Sequence, residues 1–236
     1  MGPVEVSVII PTLNEGDYLP ALLRSLDRQS FKAFEVVVVD GGSQDRTITE
    51  ALEFKARTIV RRSNIAEARN IGVAFSSAPF LVFLDADTVV PPDFLRKVVQ
   101  AMRRGAGFIV ARPEPLERSL AGRLGYAFGW GLCRLGLTNP CYMGVGVSRE
   151  VFAQVGGFDE SLVYNEDLDF LRKALTVKRS VFPRDLVSYN STRRWIRRGR
   201  GGILEPFRIL GRILEYFLFR KSKAYYPTYH AKSAEP

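Results

Sequence analysis

The sequence has few of the residues on which metal–thiolate sites and disulfide frameworks depend. It contains two cysteines, Cys133 and Cys141, and one histidine, His230. Two cysteines are too few for a disulfide framework and match no zinc-ligand spacing, so buried thiols are the default interpretation. They leave the cellular compartment open. His230 lies near the carboxyl end of the chain and is a weak candidate for a metal ligand.

Long hydrophobic runs are also missing. No run reaches the ~18 uncharged apolar residues of a membrane-spanning helix. The amino-terminal segment is interrupted by Glu5 and has neither the basic nor the apolar region of a signal peptide. Glycine-rich phosphate loops are absent too, because neither Gly-x-Gly-x-x-Gly nor Gly-Lys-Ser/Thr follows the first apolar run. We therefore expect no simple transmembrane helix and neither a dinucleotide-binding nor a P-loop fold.

The positive charge of the chain is concentrated near its carboxyl end. The net charge is +9, and residues 193–223 alone contain ten basic and two acidic residues. The preceding part is nearly neutral, which argues against a nucleic-acid-binding face on the main domain. With 236 residues, 46% of them hydrophobic, the chain is long enough for one sizeable core.

Short apolar runs alternate with segments of helical periodicity. The predicted strands are Val4–Ile10, Phe34–Val39, Thr58–Val60 and Phe80–Leu84. The predicted helices follow Asn14, which is a plausible N-cap, begin near Asp45, and span Ile65–Phe75. Alternating strands and helices predict a parallel, doubly wound α/β sheet.

Two carboxylates stand at the end of the Phe80–Leu84 strand, where ligands bind in open α/β sheets. If the chain stays extended, Asp85 and Asp87 point to the same side and can reach one cation. Oxygen ligands of this kind suit Mg²⁺ or Mn²⁺, which usually share their other positions with phosphates. The alternative is a polar turn after a buried strand.

Polar residues also follow the other predicted elements. Asp40, after the second strand, could bind a ribose hydroxyl or a base edge, or could serve only as a turn or capping residue. Arg69 could pair with a phosphate or with Asp40, or could be a surface arginine.

Several ordered motifs together resemble the family 2 glycosyltransferases. The motifs are Val-Ile-Ile-Pro-Thr-Leu-Asn-Glu (8–15), Val-Val-Val-Asp-Gly-Gly-Ser-Gln-Asp-Arg-Thr (37–47), Ala-Arg-Asn-Ile-Gly (68–72), Leu-Asp-Ala-Asp (84–87), and segments beginning at Gly144, Gly156 and Asn165. The resemblance covers residues 4–195, and the amino half is similar to polyprenyl-phosphate mannose synthases. It implies the GT-A fold, a Rossmann-like doubly wound mixed sheet, here with a carboxyl-terminal amphipathic helical extension.

The resemblance also implies roles for individual residues. Asp87 would bind Mn²⁺ or Mg²⁺ on the diphosphate of a nucleotide diphosphate sugar, and Asp85 would contact the ribose or the metal. The residues that would bind this donor are Pro11, Thr12, Leu13, Glu15, Asp40, Gly42, Arg69, Asp85, Ala86, Asp87, Arg193 and Arg194. Gly144 and Trp195 would lie on the acceptor side.

Glu166 and Asp167 supply the second half of the implied reaction. By resemblance, Asp167 is the base that accepts the proton of the acceptor hydroxyl, and Glu166 orients the site. The alternative is an acidic pair that complements the dipole of a helix over 167–174. Asp159, Glu160 and Asp169 are nearby candidates of lower rank. The family motif Gln-x-x-Arg-Trp corresponds to Ser-Thr-Arg-Arg-Trp (191–195), and the loss of Gln favours addition of a single sugar over processive synthesis.

Two further segments are apolar on at least one face. Helical spacing over 203–221 gathers bulky apolar residues on one face with arginines around it, which is typical of an in-plane helix on an anionic membrane. Packing on the domain or on a second subunit is the alternative. The segment 120–137 could form a second apolar surface near the acceptor side, or could be core.

The sequence therefore predicts an inverting, metal-dependent hexosyltransferase that adds one sugar to a lipid-borne hydroxyl. GDP-mannose is the preferred donor, and UDP-glucose stays open. Residues 1–192 would form the catalytic domain, divided near residue 100 into donor and acceptor halves. Residues 193–236 would bind the cytoplasmic face of the membrane, and no nucleic acid is expected as a partner. The alternatives are a polyprenyl-phosphate hexose synthase and a non-catalytic membrane-binding adaptor.

Overall fold

The structure, a computed structural model, describes residues 2–117, 120–135, 144–162 and 165–193. Within these ranges, the main sheet has seven strands in the order β3-β2-β1-β4-β8-β6-β9. Its parallel half consists of β1 (Val6–Thr12), β2 (Phe34–Asp40), β3 (Arg57–Val60) and β4 (Phe80–Phe83). Strands β1 and β2 are rich in β-branched residues, and β1, β2 and β4 are largely buried, as expected for parallel strands covered on both faces. Strand β3, at the edge of the sheet, is partly exposed.

Three helices connect the parallel strands. They are α1 (Leu19–Asp27), α2 (Thr47–Glu53) and α3 (Ile65–Ala74). Asn64 caps α3 by accepting a hydrogen bond from the Glu67 N–H, and Glu67 reciprocates. Gly72 of α3 packs so closely on Ile9 that a Cβ there would overlap Ile9 Cγ2. The predicted alternation of strands and helices is confirmed.

The other half of the sheet is mixed. Strand β8 (Val145–Ser148) lies antiparallel between β4 and β6 (Phe108–Val110), and β9 (Ser180–Val181) pairs with β6. A second sheet has the order β5-β10-β7, formed by β5 (Thr88–Val89), β7 (Arg112–Pro115) and β10 (Val187–Asn190). This small sheet begins immediately after Asp87, and the Ser191 N–H, just after β10, donates to the Asp87 carbonyl at 3.2 Å.

The remaining helices complete the layers. They are α4 (Phe94–Arg103), α5 (Leu120–Arg134), α6 (Arg149–Gln154) and α7 (Glu166–Val177). Four phenylalanines, Phe83, Phe152, Phe158 and Phe170, pack with ring centroids 4.4–6.1 Å apart beneath the start of α7. This aromatic cluster fixes α7 against β4, and therefore fixes Asp167 relative to Asp85.

Two local predictions were wrong. Asn14 is not a helix N-cap, because α1 begins at Leu19 after Tyr18, and Asn14 instead adopts a left-handed conformation with φ 54° in a loop. The chain is also not extended through Asp85 and Asp87. Strand β4 ends at Phe83, and the Thr88 N–H donates to the Asp85 carbonyl at 3.0 Å in a turn.

Candidate active site

The loop after β1 is tied to the loop after β2 through Asp40. The buried Asp40 carboxylate accepts four hydrogen bonds: from the Thr12 hydroxyl (2.9 Å), the Gly42 N–H (2.9 Å), the Ser43 N–H (2.7 Å) and the Ser43 hydroxyl (2.6 Å). Gly42 has φ +96°, a conformation that favours glycine. The structure therefore shows the turn role of Asp40, and a nucleoside that bound this carboxylate would have to replace one of these donors.

The residues between Pro11 and Glu15 continue this connection. Asn14 accepts from the Gln44 N–H and its own N–H donates to the Ser43 hydroxyl, at 2.9 and 2.8 Å. Leu13 lies over Gly41, where an added Cβ would be 3.4 Å from Leu13 Cδ1. Pro11 stands opposite Val39 in the register of β1 and β2. These contacts hold a polar rim at the carboxyl edge of the parallel strands, where the donor was predicted to bind.

Arg193 crosses this edge and joins two predicted donor-site residues. Its Nη2 donates to both Glu15 carboxylate oxygens at 2.6 Å, its Nε donates to Asp87 Oδ2 at 3.0 Å, and its guanidinium stacks 3.8 Å above the Tyr18 ring. Burial alone would lower the pKa of Arg193, but the hydrogen bonds to Glu15 and the charge of Asp87 hold it above its ordinary value. We call this arrangement the Arg193 bridge.

Arg69 is the centre of a second, deeper group. Its Nη1 donates to Glu166 Oε1 at 2.8 Å, its Nη2 lies 3.3 Å from Asp85 Oδ1, and its guanidinium is 5.2 Å from the Phe158 ring centroid. The side chain is 2% exposed. The surface alternative for Arg69 is therefore wrong, and its partner is not Asp40. Arg69, Asp85, Glu166 and Asp167 are called the Arg69 cluster below.

Glu166 and Asp167 open α7 from inside the protein. Asn165 precedes them with φ 62°, and both carboxylates are buried, with residue exposures of 6% and 5%. Burial raises the pKa of Glu166 despite the nearby Arg69. Burial and then the charge of Glu166 raise the pKa of Asp167 from 3.8 to about 8. A carboxyl group that titrates near neutral pH is suited to accepting a proton.

The two carboxylates of the Asp85–Asp87 turn face different cations. Asp85 pairs with Arg69, whereas Asp87 pairs with Arg193, because the turn rotates the two side chains apart. No cluster of three acidic, histidine or cysteine side chains suited to a metal occurs among the described residues. Asp87 nevertheless fits a Mg²⁺ or Mn²⁺ ion that shares its ligands with phosphates, because a guanidinium cation already stands 3.0 Å from its carboxylate.

Other sequence candidates have structural partners. Gly144, at φ +75°, packs against Leu84 and Phe94, and Ala86 is buried in the main core. The Ser161 hydroxyl and N–H donate to Asp159, the Asn70 amide donates to Glu160, and Lys173 pairs with Asp169 at 2.6 Å. Arg194, Trp195, Cys141, His230 and 203–221 lie outside the described residues.

Sequence reasoning missed the residues that hold Arg193 in place. Glu117 accepts from the Ser191 hydroxyl and from the Thr192 N–H and hydroxyl at 2.7–2.8 Å, and Tyr126 donates to the Ser191 carbonyl at 3.2 Å. Burial would raise the pKa of Glu117, but these hydrogen bonds lower it. No short motif marks Glu117, because its partners are more than 70 residues away.

Helix α5 contacts the segment that precedes Arg193 and passes near Asp167. Tyr126, Trp130 and Cys133 face inward from successive turns and are buried. Burial, with a smaller contribution from the charge of Asp167, raises the pKa of the Cys133 thiol to about 12, so this cysteine is a neutral thiol near the predicted base. The inner face of α5 thus runs from Ser191, beside the Arg193 bridge, to the neighbourhood of Asp167.

Comparison with known proteins identifies the class to which this fold belongs. A mannosyltransferase from Pyrobaculum calidifontis, solved with GDP-Man and Mn²⁺, has a TM-score of 0.71 at 20% identity, covering 95% of this chain and 67% of that one. S. aureus TarS 1-349, solved with UDP-GlcNAc, has a TM-score of 0.66 at 22% identity, covering 80% and 59%. These similarities confirm the GT-A fold.

The chain belongs to glycosyl transferase family 2, whose model matches residues 7–149. A PGL/p-HBAD biosynthesis glycosyltransferase of Mycobacterium tuberculosis is 34% identical over 173 residues, 70% of this chain and 67% of that protein. An uncharacterized glycosyltransferase of Haemophilus influenzae is 29% identical over 196 residues, 72% of this chain and 62% of that protein. The chain thus spans about two thirds of the length of these relatives. The family prediction is confirmed.

Proposed function

We propose that the protein is an inverting hexosyltransferase that moves one hexose from a nucleotide diphosphate sugar to a hydroxyl of a lipid-borne acceptor. The observation that carries this proposal is the position of Arg69, which contacts Asp85 on one side and Glu166 on the other. These carboxylates are 81 residues apart in the chain. Arg69 therefore joins the predicted leaving-group side of the site to the predicted acceptor side.

On the leaving-group side, Asp87 would hold Mn²⁺ or Mg²⁺ on the diphosphate, with Asp85 nearby. The bound ion would offset the negative charge that develops on the departing nucleoside diphosphate. Arg193 already lies between Glu15 and Asp87, so it can turn one or more of its N–H groups toward a phosphate when the donor binds. Thr12, Leu13 and Asp40 would border the nucleoside.

On the acceptor side, Asp167 would accept the proton of the attacking hydroxyl. The acceptor oxygen forms a bond to the anomeric carbon, while the bond from that carbon to the diphosphate oxygen breaks and the electron pair leaves with the nucleoside diphosphate. Glu166, held by Arg69, keeps the start of α7 in place. Burial of Asp167 supports this role because a raised pKa makes its ionised form a stronger base.

The ligands of two structural neighbours guide the choice of donor. The mannosyltransferase neighbour was solved with GDP-Man and Mn²⁺, which favours GDP-mannose as the donor, whereas the TarS complex contains UDP-GlcNAc. UDP-glucose therefore remains a second donor to test. A lipid-borne acceptor is favoured by the apolar and basic residues of 203–221, which we propose to bind anionic membrane at its cytoplasmic face. In the described residues, no helix is long and apolar enough to cross a membrane.

The proposed division of the chain follows the same logic. Residues 1–192 would carry out transfer, with the donor bound by about the first hundred residues, and 193–236 would hold the enzyme at the membrane. Arg193 then lies at the junction, where attachment to the membrane and contact with Asp87 meet. This makes the junction a part of the donor site and not a passive linker.

Transfer to lipid tests the proposal. The protein is incubated with Mn²⁺, lipid vesicles containing a cellular lipid extract, and radiolabelled GDP-mannose or UDP-glucose, and label in the organic phase is counted. We expect label from one donor, in a product resistant to mild acid, and at least 100-fold less label with Asp167→Asn. An acid-labile product formed equally well by Asp167→Asn would instead indicate a phosphate acceptor. No transfer from either donor would contradict the proposed donors, and retained membrane binding alone would favour an adaptor.

A further inference from the structure

Helix α5 has two apolar faces, and in the part of the chain that the structure describes one face is buried and the other is exposed. Tyr126, Trp130 and Cys133 pack into the protein, as described above. On the opposite side, Leu124 is 65% exposed and Phe128 is 70% exposed. The described part of the segment 120–137 therefore has one core face and one exposed apolar face, and the nearness of the exposed face to an acceptor stays a prediction.

The exposed residues form a continuous strip. Leu124 and Phe128 are one helical turn apart, and Leu135, 71% exposed, follows two turns later, immediately after the last residue of α5. Residues 127 and 131, which lie between them on the same side, are small and also exposed. Large apolar side chains that are exposed and aligned in this way mark a surface that binds another protein or a membrane.

The charged residues of α5 itself are both arginines. Arg123 and Arg134 each precede a strip residue, are 11 positions apart and so lie along the same edge of the helix. The 15 residues of α5 include no aspartate or glutamate. Arg123 is 68% exposed and its contact with Glu114, at 3.9 Å, is long, so its guanidinium is available to a second anion. An apolar strip bordered by arginines is complementary to the surface of an anionic bilayer.

We infer that the outer face of α5, formed by Leu124, Phe128 and Leu135 with Arg123 and Arg134, is a membrane-contact surface that binds anionic lipid independently of residues 203–221. The inference deepens the proposed function, because its lipid-borne acceptor would then reach the protein beside the base. The inner face of the same helix lies near Asp167, and the width of an α-helix with its side chains is only ~10–12 Å. A lipid anchored at the strip would thus have its head group close to the acceptor side of the site.

Vesicle flotation with the full chain tests this surface separately from transfer. The variant Leu124→Gln/Phe128→Gln removes the strip without a strong helix breaker. The matched control, Leu52→Gln/Phe75→Gln, removes the same residue types at positions that are 58% and 50% exposed elsewhere. We expect the α5 variant to bind vesicles of phosphatidylcholine and phosphatidylglycerol (7:3) at least tenfold more weakly than the parent, and the control to bind as the parent does.

A second variant tests the arginines. Arg123→Gln/Arg134→Gln should weaken binding to the anionic vesicles severalfold and should leave binding to pure phosphatidylcholine unchanged. Circular dichroism checks that each variant is folded. Parent-like binding of both α5 variants would overturn the inference and assign membrane binding to other residues. Conversion of a dimeric parent to a monomer by Leu124→Gln/Phe128→Gln, without loss of vesicle binding, would also overturn it, because the strip would then bind a second copy.

Failure of this inference can be distinguished from failure of the proposed function. If sugar is transferred to lipid but the α5 variants bind vesicles as the parent does, only the inference about the membrane-contact surface is wrong. If the α5 variants lose vesicle binding but no sugar donor is used, the surface is supported and the proposed reaction is wrong. Activity is therefore not needed to read the binding result.

Discussion

Replacing Asp167 by asparagine is expected to stabilise the folded protein near neutral pH. Burial and the charge of Glu166 raise the pKa of this carboxyl group from 3.8 to about 8. Between these values the folded state holds a proton that the unfolded state releases, so the free energy of unfolding falls as pH rises. Each pH unit in this window corresponds to ~1.36 kcal/mol. Asparagine is neutral in both states and does not incur this loss.

The expected gain grows with pH. The free energy of unfolding of Asp167→Asn should exceed that of the parent by up to about 1.5 kcal/mol at pH 5 and by up to about 4 kcal/mol at pH 7. The difference stops increasing once the pH passes the pKa of Asp167 in the folded protein. Urea denaturation of both proteins at pH 5, 6, 7 and 8 measures it. Asp169→Asn is the matched control, since it makes the same substitution two residues later, where the carboxylate of Asp169, 18% exposed, pairs with Lys173. This control should lose about 0.5 kcal/mol or less.

The same substitution should remove transfer activity. General-base catalysis typically contributes ~10²–10⁴-fold, and the parent rate should rise with pH up to about 8 as Asp167 ionises. A pH-independent difference in stability between parent and Asp167→Asn would refute the protonated, buried carboxyl group. Retention of the parent rate in Asp167→Asn would refute its role as the base and would favour an acceptor that arrives as an ionised phosphate.

Three other predictions concern the packing of the site. Arg69→Met should lower the free energy of unfolding at pH 7 by about 3–5 kcal/mol, because it leaves buried carboxylates without their cation, and the loss should be smaller at pH 5. A loss below about 1 kcal/mol in urea denaturation would contradict the Arg69 cluster. Arg193→Gln should raise the affinity for Mn²⁺ in the absence of nucleotide about tenfold, or ~1.4 kcal/mol, because the Arg193 guanidinium no longer competes with the ion for Asp87. Calorimetry measures this affinity, and an unchanged value would contradict the competition. Gly72→Ala should cost about 1–3 kcal/mol in thermal unfolding, whereas Gly131→Ala, which meets nothing within 4 Å, should be neutral or stabilising.

The parallel half of the fold could be predicted because its signals are local. Each strand is a short, mainly apolar run bounded by polar or turn residues, and the bounds agree to within a few residues, as for Phe80–Leu84 against Phe80–Phe83. Strand β8 could not be placed in the same way, because its position between β4 and β6 depends on pairing with strands 35 or more residues away. There Gly146 packs so tightly on β6 that an added Cβ would lie 2.6 Å from Ile109 Cγ2.

The site residues also divide into features that local motifs indicate and features that only the folded structure shows. The motifs pointed to Asp85, Glu166 and Arg69 singly, but only the fold shows that Arg69 joins the other two. Treating Asp85 and Asp87 as extended neighbours failed because the strand ends two residues before Asp85. The roles of Glu117 and of both faces of α5 depend on what packs against them, which periodicity alone does not encode.

The most direct test of the central claim is calorimetric titration of the protein with GDP, UDP and their mannose and glucose conjugates, with Mn²⁺ present and then removed by a chelator. Asp87→Ala is compared with Asp93→Ala, a control at a partly exposed carboxylate that pairs with Lys97. We predict metal-dependent binding of one nucleotide, lost in Asp87→Ala and retained in Asp93→Ala. Absence of binding by any of these nucleotides to the folded protein, or equal binding by Asp87→Ala, would contradict the account.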